Sequence, residues 1–428
     1  MYLLFVKMKG PGSCLVLLCL AGGVWSQCLT DNDVKTASNP MAQHGVYTGQ
    51  QEFTFDLLSI INKQNKGSNI FLSPFSIYQA LLTAYFVSDK NTEANLKQVL
   101  RLPANVDKID TMQVYKMEKY YQTMRGLNSS YGYTFTSANK IFINDQLTVK
   151  PCMTDIFQQE LQPMSFANGL EAAKVINTWV EVETKNNIKD LISPDQVDSR
   201  TNLVLANAAY FKGIWQSKFS PALTKPDVFY SSPNKKSLVK MMKQNGQFRH
   251  ILSEELRAHI LEVPYKGGNI SMYFLLPPFA SKDGVADILA SLKKDPTTFK
   301  RFTEEANFLK PVEISIPKFT VTQDLNLIPT LTQMGVTDLF TSAADLSRLS
   351  DTPISFGDAV HKARLELDEE GTTAAAATAV FSFRSSRPLE HTKFVANHPF
   401  LYFLFDKMSQ SILLAGVFNE PTKESGGV

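Results

Sequence analysis

The segment LDEEGTTAAAATAVFSFRSSRPLEHTKF, residues 367–394, does not read as an ordinary surface loop. Surface turns draw on Gly, Asn, Asp and Pro. Here one glycine, Gly371, is followed by Thr372, Thr373, Ala374, Ala375, Ala376, Ala377, Thr378 and Ala379, then by Val380, Phe381 and Phe383. Alanine is the best helix former, but four alanines cannot sustain a helix alone. The Val and Phe that follow favour an extended chain. Alternation along a strand puts Thr372, Ala374, Ala376, Thr378, Val380 and Ser382 on one face, and none of them is charged. Small side chains have little rotamer entropy to lose, and the glycine ahead of them is permissive. The segment therefore reads as extended chain with one small, uncharged face. No proline interrupts it before Pro388.

Working outward, the chain reads as α+β, with helices concentrated in the first half and strands in the second. Residues 27 to about 48 are polar and aperiodic, a loose lead-in. QEFTFDLLSIIN (51–62) then repeats apolar residues at helical spacing. Residues 69–72 read as a short strand, and Ser73-Pro74 as an N-cap followed by proline at the first helical position. Thr92 starts another short helix, stopped by Pro103. TNLVLANAAYF (201–211) is a buried-strand run, and Lys266-Gly267-Gly268-Asn269 marks a hairpin. VEISIPKFTV (312–321) alternates. FLYFLF (400–405) and SILLAGVF (411–418) flank a polar turn as adjacent buried strands. No linker divides the chain, so one domain near 400 residues is expected, larger than most.

The first 26 residues read as a signal peptide. Lys7 and Lys9 precede a short apolar run, CLVLLCLA (14–21), and cleavage is expected near Ser26. That run is too short to span a bilayer as an anchor. Without this segment 41 basic residues face 41 acidic ones, which argues against nucleic acid or an anionic membrane as a bulk electrostatic partner. Lys235, Lys236, Lys240 and Lys243 cluster, but solvated lysines explain them. Cys28 and Cys152 remain after cleavage, and an oxidising compartment would allow them to pair. Asn128-Ser129-Ser130 and Asn269-Ile270-Ser271 are glycosylation sequons. None of the common hydrolase, metalloprotease, phosphate-loop or dinucleotide motifs occurs, and none of the six histidines has a partner at metal-ligand spacing. A triad dispersed along the sequence stays open but is disfavoured. A monomer is expected, without a metal or required cofactor; a polysaccharide cofactor is not legible.

Five stretches, in order, resemble the serpin family: NIFLSPFSIYQAL (69–81), INTWVEVETKNNIKDLI (176–192), NAAYFKGIWQSKF (207–219), AVHKARLELDEEGTTAAAAT (359–378) and FVANHPFLYFL (394–404). One departure is Asn186-Asn187, where the family often carries Gly-Lys. The resemblance implies about nine helices around three sheets over residues 27–428. It also implies an exposed reactive-centre loop at about 369–391, and a suicide inhibitor of proteases. Glu369, Glu370 and residues Gly371 to Thr378 would form the loop's hinge. Ser73, Ser76, Asn207 and His361 match the family's hydrogen-bonded cluster beneath the opening sheet. Trp215, and less closely Lys318, match residues where the loop first enters. The family's usual count from the hinge glycine reaches Ser385–Ser386. Chemistry points one bond earlier: Arg384–Ser385 offers an arginine followed by a small residue, which a trypsin-like pocket with a buried carboxylate accepts. Phe383 as bait would suit a chymotrypsin-like enzyme. The competing expectation is a non-inhibitory carrier or chaperone, whose hinge would hold bulky or charged residues or proline; this hinge has none.

Overall fold

The computed structural model describes residues 28–31, 33, 39–127, 132–304, 308–370 and 392–421; the expected signal segment lies outside them. The first half contains α1 (Ala42–Gln64), β1 (Ile70–Leu72), α2 (Pro74–Val87), α3 (Lys90–Val99), α4 (Lys108–Leu127), β2 (Tyr133–Asn144), α5 (Pro151–Ile156), β3 (Leu161–Met164) and α6 (Gly169–Glu183). Next come β4 (Leu203–Gly213), β5 (Lys225–Ser232), β6 (Lys235–Ser253), β7 (Ala258–Pro264), β8 (Ile270–Leu276), α7 (Gly284–Lys294) and α8 (Thr297–Glu304). The chain continues with β9 (Lys310–Pro317), β10 (Phe319–Asn326), α9 (Ile328–Met334), β11 (Phe356–Leu367), β12 (Thr392–Val395), β13 (Phe400–Asp406) and β14 (Ser411–Phe418).

Local chemistry explains several boundaries. Ser73 caps α2: its Oγ accepts the Ser76 backbone N–H at 3.1 Å, with Pro74 in the first turn. Helix α3 starts earlier than Thr92, at Lys90, because Asp89 caps it. The lead-in also ends earlier than residue 48. Gly45 falls in the expected lead-in, yet both it and Gly49 lie inside α1, where their missing side chains let it touch its neighbours. A Cβ on Gly45 would sit 2.6 Å from Pro103, and one on Gly49 2.8 Å from the carbonyls of Leu100 and Arg101. Asn186 adopts φ 61° just after α6, so it fills a left-handed position that glycine favours and asparagine tolerates.

Five strands form one sheet in the order β10-β11-β4-β2-β3. The other nine form two sheets fused along β6. One part of β6 pairs with β5 and β9, and β9 carries β12; its end pairs with β7 and leads to β8, β13, β14 and β1. VEISIPKFTV is therefore two strands. The chain leaves β9 in the fused sheets and enters β10 in the five-stranded one, with Lys318 at the crossing.

Three apolar layers follow. Phe71, Phe211, Trp215, Phe274, Phe400 and Tyr402 fill the space between the sheets. α1 packs on the outer face of the fused sheets, whereas α2 lies against strands of both, β14 of the fused sheets and β2 and β4 of the five-stranded one. α6 covers the other face of the five-stranded sheet through Ala172, Ala173, Ile176 and Val180. Cys28 and Cys152 are joined by a disulfide that ties the chain before α1 to α5.

Candidate functional site

β11 runs into the loop residues, and its neighbour β4 is parallel to it, with His361 level with Asn207 and Leu365 with Phe211. On their other edges β11 and β4 have antiparallel partners, β10 and β2. The β4–β11 seam is thus a parallel junction set between antiparallel ones.

A buried polar row crosses this seam. Asn139 of β2 is level with Asn207 of β4, which is level with His361 of β11. The N-terminus of α2 lies against the row. Its Ser73 backbone N–H donates to His361 Nε2 at 3.0 Å, which makes Nε2 the acceptor and leaves Nδ1–H to donate to Asn207 Oδ1. Ser73 Oγ donates to the Leu413 carbonyl at 2.7 Å. Ser76 Oγ accepts from Asn207 Nδ2 at 2.7 Å and from Ser137 Oγ at 2.9 Å. Burial pushes the His361 imidazole down to about 3, so it stays neutral. The structure brings together Ser73, Ser76, Asn207 and His361. Ser137 and Asn139, on the same row, carry no mark in the sequence beyond being polar in a strand.

The upper end of the seam is fastened separately. Trp215 is 1% exposed and stacks on Tyr265 with centroids 4.2 Å apart. Its Nε1–H donates to the Asp368 carbonyl at 2.7 Å. The Phe219 N–H donates to the Glu369 carbonyl at 3.0 Å. Lys318 Nζ reaches the Glu369 carboxylate at 2.5 Å. Burial alone would raise the Glu369 pKa, but the Lys318 hydrogen bond holds it below the usual carboxylate range. The Glu370 N–H donates to Asp368 Oδ1 at 3.1 Å. Three elements thus grip the last described residues before the loop: the chain after β4, the crossing at Lys318, and β11 itself. Beyond the loop, β12 is held by parallel pairing to β9.

Gly371 to Thr378, Arg384, Ser385, Ser386 and Asn128 lie outside the described residues. Asn269 sits half-buried in the turn between β7 and β8, its carbonyl accepting from the Lys407 N–H. Ser271 of the same sequon is buried and donates to Glu262 at 2.7 Å.

Comparison with known proteins agrees with this geometry. The family model Serpin (serine protease inhibitor) matches residues 48–421. Serine protease inhibitor 88Ea of Drosophila melanogaster is 39% identical over 393 residues, which are 88% of this chain and 91% of that protein. Two Bombyx mori proteins are nearly equidistant. Antichymotrypsin-2 is 35% identical, covering 87% of this chain and 97% of its own; antitrypsin is 34% identical, covering 86% and 93%. Among solved structures, Serpin48 of the insect Tenebrio molitor aligns with a TM-score of 0.75 at 26% identity, over 90% of this chain and all of that one. With a family model that matches residues 48–421, and a parallel seam whose strand β11 ends just before the alanine-rich segment, the chain belongs to the serpin family.

Proposed function

We propose that this serpin is a secreted suicide inhibitor of a trypsin-like serine protease. The observation that carries this reading is the parallel β4–β11 pair that runs straight into the loop. A segment that reverses after β11 and enters the seam lies antiparallel to both strands. It exchanges one parallel pairing for two antiparallel ones, which are slightly more stable per residue. A dozen new ladder bonds at about 0.5–1.5 kcal/mol each supply on the order of 10 kcal/mol. Fifteen residues of strand carry the loop tip on the order of 50 Å.

The chemistry is that of an interrupted hydrolysis. The protease serine Oγ adds to the Arg384 carbonyl. The Arg384–Ser385 bond breaks, the new amine of Ser385 leaves with the proton, and an ester joins Arg384 to the protease. Insertion then drags the protease away before water reaches the ester, and distortion of its active site stalls the second half. The bait sets the specificity. Relatives named for chymotrypsin and for trypsin are equally similar to this chain, so the argument for a trypsin-like target rests on Arg384. Secretion is supported by the apolar N-terminal run, the two sequons and the Cys28–Cys152 disulfide, which suits an oxidising compartment. An extracellular cascade of the clotting or immune type fits that location and an arginine bait.

Incubation with trypsin tests the reading. A protease–serpin band that survives SDS, with a released fragment beginning at Ser385, is expected. Clean cleavage with no such band would refute inhibition, and a fragment beginning at Ser386 would move the bait to Ser385.

A further inference from the structure

The residues between α6 and β4 form a strap over the seam that the loop would enter. Ile188, Leu191, Ile192 and Val197 are buried against Val204 and Ala206 of β4 and Val360 of β11. Asn177 of α6 holds the strap with a pair of hydrogen bonds to the Ile192 backbone, at 2.9 and 3.0 Å. On the β11 side the fastening is polar. The Ser193 N–H occupies Gln196 Oε1 at 2.8 Å, which turns the amide so that Gln196 Nε2 donates to Asp358 Oδ2 at 3.0 Å. Asp358 is 7% exposed, and its other oxygen accepts the Ala359 N–H at 2.8 Å. No cation pairs with Asp358 among the described residues, so two N–H groups hold its charge. Two pleat repeats further along β11, Lys362 Nζ donates to the Asp190 carbonyl at 3.1 Å and pairs with Asp324.

The two sides of the strap respond differently to an entering strand. A new strand moves β11 away from β4 by about 4.8 Å. Apolar contacts with β4 tolerate sliding, whereas a 3.0 Å hydrogen bond does not survive that displacement. Asp358 lies at the end of β11 farthest from the loop, so its fastening resists the last stage of insertion, when an attached protease would be carried farthest.

We infer that the Gln196–Asp358 hydrogen bond is a latch that sets how fast the seam opens to its far end. It acts through the strap and touches neither the loop nor the protease, so Gln196 and Asp358 are positioning residues. This inference rests on the proposed insertion between β4 and β11. Holding the seam shut keeps the intact molecule from opening unprovoked, and it slows trapping, which competes with hydrolysis of the ester.

Gln196 is exposed, so Gln196→Ala leaves the core untouched. The test follows uptake of the acetylated peptide TTAAAATAVFSF, residues 372–383, by the intact protein on native gels. Loss of a hydrogen bond to a buried carboxylate is expected to speed uptake about tenfold, while the melting temperature of the loop-cleaved form stays at the wild-type value. Asp358→Asn has one acceptor oxygen for the two N–H groups that Asp358 accepts, so it should also take up peptide faster than wild type. If Gln196→Ala takes up peptide no faster than wild type, while wild type forms an SDS-stable protease complex, the latch is refuted and the inhibitory reading stands. If wild type neither takes up peptide nor forms a complex, the insertion reading fails and the latch with it.

Discussion

Replacing His361 with glutamine and comparing pH 7 with pH 5 tests the polar row directly. In the fold the imidazole is buried and neutral, with its pKa at about 3 against 6.5 for an ordinary histidine. The unfolded chain therefore binds a proton between these values and the folded one does not. The contribution to stability is fully present above pH 6.5 and is lost as pH falls toward 3. Between pH 7 and pH 5 the loss amounts to about 2 kcal/mol. The geometry agrees, because a protonated imidazole has no lone pair for the Ser73 N–H. Other groups move the wild-type curve too; burial pushes His250 down to about 4. The variant serves as the reference that cancels them. At pH 7 His361→Gln should be less stable by about 1–3 kcal/mol, since buried partners lose their bonds. At pH 5 the difference should shrink by about 2 kcal/mol. Urea unfolding followed by the fluorescence of Trp179 and Trp215 measures both. A gap of equal size at the two pH values would show that His361 does not resist protonation in the fold, and the neutral row would be refuted.

Four further outcomes follow from the same seam. Lys318→Ala should lower the melting temperature of the intact protein by the equivalent of about 1–2 kcal/mol, with little effect once the loop is cleaved and β11 has a new neighbour; calorimetry of both forms checks this. Thr372→Arg, placing a long charged side chain in the hinge, should convert the inhibitor into a substrate, visible as cleavage by trypsin without an SDS-stable complex. Wild type clipped in its loop should melt well above the intact molecule, and equal melting temperatures would remove the stored energy that trapping requires. Cys28→Ser opens a loop of 124 residues and should cost up to about 4–5 kcal/mol by chain entropy, measured by urea midpoints under non-reducing conditions.

The sequence was most legible where the physics is local. Ser73-Pro74 announces a cap, Gly267-Gly268 a turn, and the runs at 400–405 and 411–418 pair with each other because only a short turn separates them. It was least legible where distant segments decide. VEISIPKFTV reads as one alternating run, although its apolar positions shift phase from Val312, Ile314 and Ile316 to Phe319 and Val321 across Pro317-Lys318, where the chain passes from one sheet to the other. Gly45 sat in a stretch that suggested a loop because the residue it packs against, Pro103, is far along the chain. The members of the row that matched the family's pattern were named from that likeness. Ser137 and Asn139 join them only because β2 lies beside β4 in register.

The seam itself is built from side chains that lose little when it parts. β4 contributes Ala206, Ala208 and Ala209, level with Val360, Lys362 and Ala363 of β11, so there are few interlocking methylenes to pull apart and little cavity cost if the gap is refilled. The polar row does the opposite. His361 and Asn207 are buried, hydrogen-bonded across the seam and expensive to leave unpaired. Among the side chains, parting the strands is thus opposed mainly by a few directional bonds, at the row, at Trp215–Asp368 above it, and at Gln196–Asp358 below. Directional bonds fail over a fraction of an ångström, whereas apolar contact fades gradually. Such a barrier resists small fluctuations and then gives way, which is what a trap must do: stay closed until its loop is cut, then outpace the water that would release its target.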